Sequence, residues 1–91
     1  MTHVFKDRPK LVARIRRIKG QVEAVERVLD GDGDRCLEVL QLVASVRGAI
    51  NGLMAELVEG HVTHHLVDAD DEAARRQGGD ELIQVLRTYM K

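Results

Sequence analysis

The sequence predicts an all-α fold with three helices per chain, and three observations carry that prediction. Two long segments repeat their apolar residues at steps of four and three, the period of a helix. Turn-forming residues punctuate the chain at Asp30 to Asp34 and again at Gln77 to Gly79. The 91 residues are 44% hydrophobic but only 2% aromatic, so the core must be aliphatic, and so small a chain gains most by packing against other subunits. This length accommodates one small domain, residues 1–91.

The elements follow in order. Residues 1–8 have no periodicity and read as a flexible arm, after which Pro9 suits the first turn of a helix because its missing N–H is not needed there. A first helix over 9–30 is marked by Leu11, Ile15, Ile18, Val22, Val25 and Leu29, with Gly20 inside the pattern as a candidate for close packing. The alternating aspartates and glycines of 30–34 end it and offer Asp34 as a cap for the next. They resemble a calcium loop only superficially, since the later glutamate is absent and Cys36 interrupts the spacing. A long second helix over 34–67 carries Cys36, Leu40, Val43, Arg47, Ile50, Met54, Leu57 and His61 on one stripe. Within it Gly48 and Gly52 would let another backbone approach, and Arg47 and Asn51 would need polar partners if buried. After the acidic run Asp68, Asp70, Asp71 and Glu72 and the break at Gln77 to Gly79, a short third helix is expected over 80–90, with Leu82, Val85, Leu86 and Tyr89 on one face.

The formal net charge of −1 conceals an asymmetry. Before Gly20, Lys6, Arg8, Lys10, Arg14, Arg16, Arg17 and Lys19 stand against the single acid Asp7. Lys10, Arg14, Arg17 and Gln21 form a stripe along the first helix, with Arg16 and Lys19 adding charge elsewhere on it. A solvated helix face is the plain reading, but positive charge confined to one element and almost unopposed there favours salt-sensitive binding to nucleic acid.

Cys36, His61, His64 and His65 carry the other chemistry. His61 and His65, four apart, project from one helix face, with His64 three from His61 as a competing donor. Such a pair alone is often incidental; a thiol on the same stripe makes a metal site of Zn, Co, Ni or Cu type the stronger reading. Yet 25 positions separate Cys36 from His61, about 37 Å of helix at about 1.5 Å per residue. The two ends act together only if a second copy of the helix lies antiparallel to the first. His3, in the arm, would lie one residue from a free amine on Thr2 once Met1 is removed; it either folds over a metal or remains a solvated tail.

Enzyme chemistry is not expected, because Cys36 and His61 come with no evident pocket or oxyanion donors. One cysteine excludes an intrachain disulfide framework and agrees with a reducing cytoplasm. No stretch approaches the roughly 20 consecutive apolar residues of a membrane span, so no membrane partner is expected.

Arg14, the run Arg17 to Gln21, Cys36, the run Val46 to Met54 and the segment Gly60 to His65 together resemble the CsoR/RcnR/FrmR family of small all-helical bacterial repressors, a similarity that spans nearly the whole chain. The resemblance implies an antiparallel dimer with a four-helix core, paired into a homotetramer. It also implies operator DNA held by Lys10, Arg14, Arg17, Lys19 and Gln21, and an inducer site shared between Cys36 of one protomer and the His61 region of another. Copper sensors of the family carry a second cysteine where this chain has His65, and persulfide sensors also need a second cysteine. Nickel and cobalt sensors of the RcnR type resemble this chain in His3, Cys36, His61 and His65, with the Thr2 amine added, so Ni(II) or Co(II) is the expected inducer. Formaldehyde, through Cys36 and the terminal amine, is the alternative, although formaldehyde sensors carry a proline amine where this chain has Thr2. Zn(II) is another.

Overall fold

A computed structural model describes residues 7–89, and no strand occurs among them. Helix α1 spans Arg8–Asp30, α2 spans Cys36–Val62 and α3 spans Glu72–Tyr89, with a π-helical turn, Thr63–Val67, continuing α2. The described residues form two units, one of Asp7–Met54 and one beginning at Ala55.

In the first unit, Pro9 lies in the opening turn of α1, and the Asp7 carbonyl accepts the Leu11 N–H at 3.0 Å. The helix stops at Gly31, whose N–H donates to the Val28 carbonyl at 3.3 Å. Gly33 follows with φ +89°, a left-handed conformation that costs a residue with a side chain about 1–2 kcal/mol. The Asp34 carboxylate accepts the Cys36 N–H at 3.2 Å, so α2 begins at Cys36 and Asp34 stands just outside it. Arg35 reaches forward to Glu38, with Nε and Nη2 each 2.8 Å from a carboxylate oxygen; the pair is exposed and contributes little to stability.

This unit has almost no core of its own. Ile18 is the one buried hydrophobic residue among the described ones, while Ile15, Val22 and Leu29 of its stripe are exposed. On α2, Leu40 is 60% exposed, Val43 47%, Ile50 43% and Met54 37%. The stripe read from the sequence is therefore present as a row of apolar side chains in contact with water, an arrangement that soluble proteins reserve for surfaces covered by something else. By length and composition the continuous helix Cys36–Val67 would suffice to cross a membrane, a departure from the expectation drawn from uninterrupted apolar runs. Glu38, Arg47, Glu56 and Glu59 interrupt the run.

The positions singled out for packing lie as follows within a single chain. A side chain at Gly20 or at Gly48 would meet nothing within 4 Å among the described residues, so neither glycine packs closely against them. At Gly52 the close neighbour is the Arg14 guanidinium, whose Nη1 would lie 2.5 Å from an added Cβ, rather than another backbone. Arg47 and Asn51 are exposed and make no demand for buried partners.

The second unit holds the largest difference from the sequence reading. Helix α3 begins at Glu72, eight residues before the expected start at Asp80, and Gln77 to Gly79 lie inside it. Asp71 starts it: its carboxylate accepts the Ala74 N–H at 2.7 Å and its carbonyl accepts the Arg75 N–H at 3.0 Å, the two bonds of an N-cap. The paired glycines, read as a break because each costs about 1 kcal/mol in a helix interior, serve packing instead: Gly78 is buried against the π turn. That turn is closed by the Asp68 N–H donating to the Thr63 carbonyl at 2.8 Å, five residues back instead of four, and Arg75 Nε donates to the Leu66 carbonyl at 3.0 Å.

Candidate functional site

The basic face of α1 divides into two kinds of residue. Lys10, Arg17 and Lys19 are exposed, whereas Arg14 and Gln21 are half-buried against α2 within the same unit. Gln21 Nε2 lies 3.5 Å from Ser45 Oγ, and Arg14 extends across Gly52. Arg14, Arg17, Ile18, Gln21 and Ala49 line a shallow hollow of about 330 Å³. The stripe thus combines exposed cations with two polar groups, Arg14 and Gln21, that lie against α2. Contacts to phosphate fix a protein's register on nucleic acid without reading its sequence.

The thiol and the imidazoles occupy opposite ends of α2. Cys36 opens the helix and is exposed. It borders a hollow of about 270 Å³ walled by Val28, Leu29, Val39 and Leu40. His61 lies in the last turn, and His64 and His65 in the π-helical continuation, all three half-buried.

His65 is the histidine the structure brings to His61, with ring centroids 4.6 Å apart and planes tilted by 37°. His61 Nε2 lies 2.9 Å from the Gly78 carbonyl oxygen. A carbonyl only accepts, so in the neutral ring Nε2 carries the proton and Nδ1 keeps its lone pair. Metal-binding histidines commonly hold their second nitrogen in this way. Two imidazoles, one already oriented, and a single exposed cysteine sulfur are donor types that fit a divalent metal of intermediate softness. Among the described residues, however, no three His, Cys, Asp or Glu side chains converge. Cys36 and the imidazole pair stand at two separate places along α2 and its continuation. His3 and the Thr2 amine lie outside the described residues.

Sequence reasoning missed Gly78 and Arg75. Asp71, followed three residues on by Ala74 and then by an amphipathic run, was a usable cap signal hidden in the acidic stretch. Nothing local marked Gly78, since its role depends on residues 13 to 17 positions earlier.

A family described as metal-sensitive transcriptional repressors matches residues 7–88. The chain belongs to this family. Its members are repressors of transcription and not enzymes, and repression of transcription entails binding DNA. The chain is 45% identical over 91 residues to the transcriptional repressor RcnR of Salmonella typhimurium, with both chains covered in full. It is 54% identical over 92 residues to an uncharacterised protein encoded in the bioA 5′ region of Serratia marcescens, again over the whole of both. Among solved structures, a glutamate-to-histidine variant of the formaldehyde-responsive regulator FrmR from Salmonella enterica serovar Typhimurium matches with a TM-score of 0.84 and 45% identity, covering 97% of this chain and 99% of that one. The family description accounts for a regulatory metal in general terms, whereas the FrmR relative is described as formaldehyde-responsive.

Proposed function

We propose that this repressor is a nickel- or cobalt-responsive regulator that binds operator DNA when metal-free and releases it when Ni(II) or Co(II) binds. One observation carries the reading: His61, with Nδ1 uncommitted, stands beside His65 in a chain that has one thiol. A donor set rich in nitrogen with a single sulfur favours Ni(II) or Co(II) over Cu(I). In this proposal Cys36 of one protomer faces His61 and His65 of its partner, and His3 with the Thr2 amine completes the set from the arm. Antiparallel pairing of α2 would bring the two half-sites together and cover Leu40, Val43, Ile50 and Met54, which gives the apolar helix a protein partner rather than a membrane. A homotetramer, as a dimer of dimers in the cytoplasm, is part of the proposal.

On DNA, Lys10, Arg17 and Lys19 would neutralise phosphates while Arg14 and Gln21 fix register. Cys36, His61 and His65 would hold the divalent ion, which would supply Lewis acidity to their donor atoms, and α1 would follow any shift of α2 because Arg14 and Gln21 lie against it. A coupling of about 1–3 kcal/mol is enough to switch occupancy.

The structural similarity to a formaldehyde-responsive regulator favours a second reading, in which one formaldehyde carbon bridges the Cys36 sulfur and the terminal amine with loss of water. Zinc as the inducing metal is the third. A single gel separates them: promoter DNA retarded by the metal-free protein is expected to be released by Ni(II) or Co(II). Release by formaldehyde or Zn(II) alone would replace the inducer, and no retardation at any salt concentration would remove the operator proposal.

A further inference from the structure

Gly78 touches both histidines of the pair, each through a different part of its backbone. Its carbonyl oxygen is the partner of His61 Nε2 at 2.9 Å; an interior helical carbonyl has a second lone pair free for such a bond. Its α-carbon lies against His65: an added Cβ would collide with the His65 carbonyl oxygen and come within 2.8 Å of the His65 Cβ and 2.9 Å of the carbonyl carbon. Two of those three atoms are backbone, so no side-chain rotation relieves the clash. At the adjacent Gly79 an added Cβ would meet only Leu66 Cδ2, at an ordinary 3.6 Å.

The π turn belongs to the same contact. Its widened bond from Asp68 N–H to the Thr63 carbonyl spans the residues that press on Gly78. Arg75, three residues before Gly78 and on the same side of α3, donates Nε to the Leu66 carbonyl at 3.0 Å. Single π turns inside helices gather at functional sites, and this one carries His64 and His65.

We infer that Gly78 is a positioning residue for the imidazole pair: its carbonyl holds His61 as the Nε2–H tautomer with Nδ1 presented as donor, and its missing side chain lets the π turn set His65 alongside. The effect on metal binding rests on the proposed assignment of His61 and His65 as inducer ligands, whereas the tautomer and the packing do not.

The test uses metal-free, nitrogen-15-labelled protein of full length. Long-range proton–nitrogen correlation spectra report the tautomer of each ring, and competition titration with Ni(II) reports affinity. In the unsubstituted protein His61 is expected as the Nε2–H form. Gly78→Ala should lose that preference and weaken Ni(II) binding about ten- to hundredfold, the range for loss of a partner that orients a ligand, while retaining helix content and metal-free operator binding. Gly79→Ala should keep both the tautomer and the affinity. A His61 proton on Nδ1 in the unsubstituted protein overturns the inference whether or not any variant folds. So does an unchanged tautomer and affinity in Gly78→Ala. If the unsubstituted protein shows the Nε2–H form yet binds no Ni(II), the nickel assignment fails and the positioning role of Gly78 stands.

Discussion

Cys36 and Arg17 test different halves of the proposed switch one side chain at a time. Cys36 is exposed at the start of α2 and contributes nothing to a core. Cys36→Ala is therefore expected to leave metal-free operator affinity unchanged while abolishing release by inducer, read by fluorescence anisotropy of labelled operator with and without Ni(II). Arg17 is exposed on the basic face, so Arg17→Ala should weaken operator binding and lower the slope of log affinity against log salt by about one. An unchanged slope would mean that Arg17 meets no phosphate. Arg14, at the same spacing in sequence, is a different case because it lies across Gly52, and Arg14→Ala should disturb helix packing as well as charge. Spacing alone made Arg14 and Arg17 equivalent, since a stripe records which face a residue occupies and not what lies above it.

At the level of elements, two local devices fix where helices begin and end. Gly33 adopts φ +89° between α1 and α2, and Gly33→Ala should lower stability by about 1–2 kcal/mol in urea denaturation. Asp71 caps α3 through its carboxylate, and Asp71→Ala should cost about 0.5–2 kcal/mol; a loss near zero would return the start of α3 to the glycine pair. The first and second helices were legible because their apolar repeats run long enough to outweigh Gly20, Gly48 and Gly52. The front half of α3 was not, since Glu72 to Gly79 presents a polar surface and two glycines, a composition that normally marks a loop. What overrides that composition is the cap at its start and the close approach of the π turn at Gly78.

For the molecule as a whole, the outstanding fact is how little a single chain buries. With Ile18 alone buried among the described hydrophobic residues and the α2 stripe open to water, folding and the proposed assembly should be one process. The melting temperature is accordingly expected to rise with protein concentration. Ile50→Glu should dissociate the assembly on sedimentation and lose operator binding with it, because a carboxylate in an apolar interface is costly without a partner. A folded, fully active monomer would refute the antiparallel pairing and, with it, the shared site.

By itself the sequence determined that the chain is helical, which residues could serve as metal donors, and that Cys36 and His61 lie too far apart along one helix to meet within a chain. These are properties of period, rise and side-chain chemistry, each set locally. Tertiary structure alone decided that His65 rather than His64 adjoins His61, that Gly78 occupies His61 Nε2, and that Arg14 and Gln21 are tied to α2. Each depends on which surface a second helix brings within reach, and a π turn that shifts helical register by one residue changes that without leaving any trace in the apolar pattern.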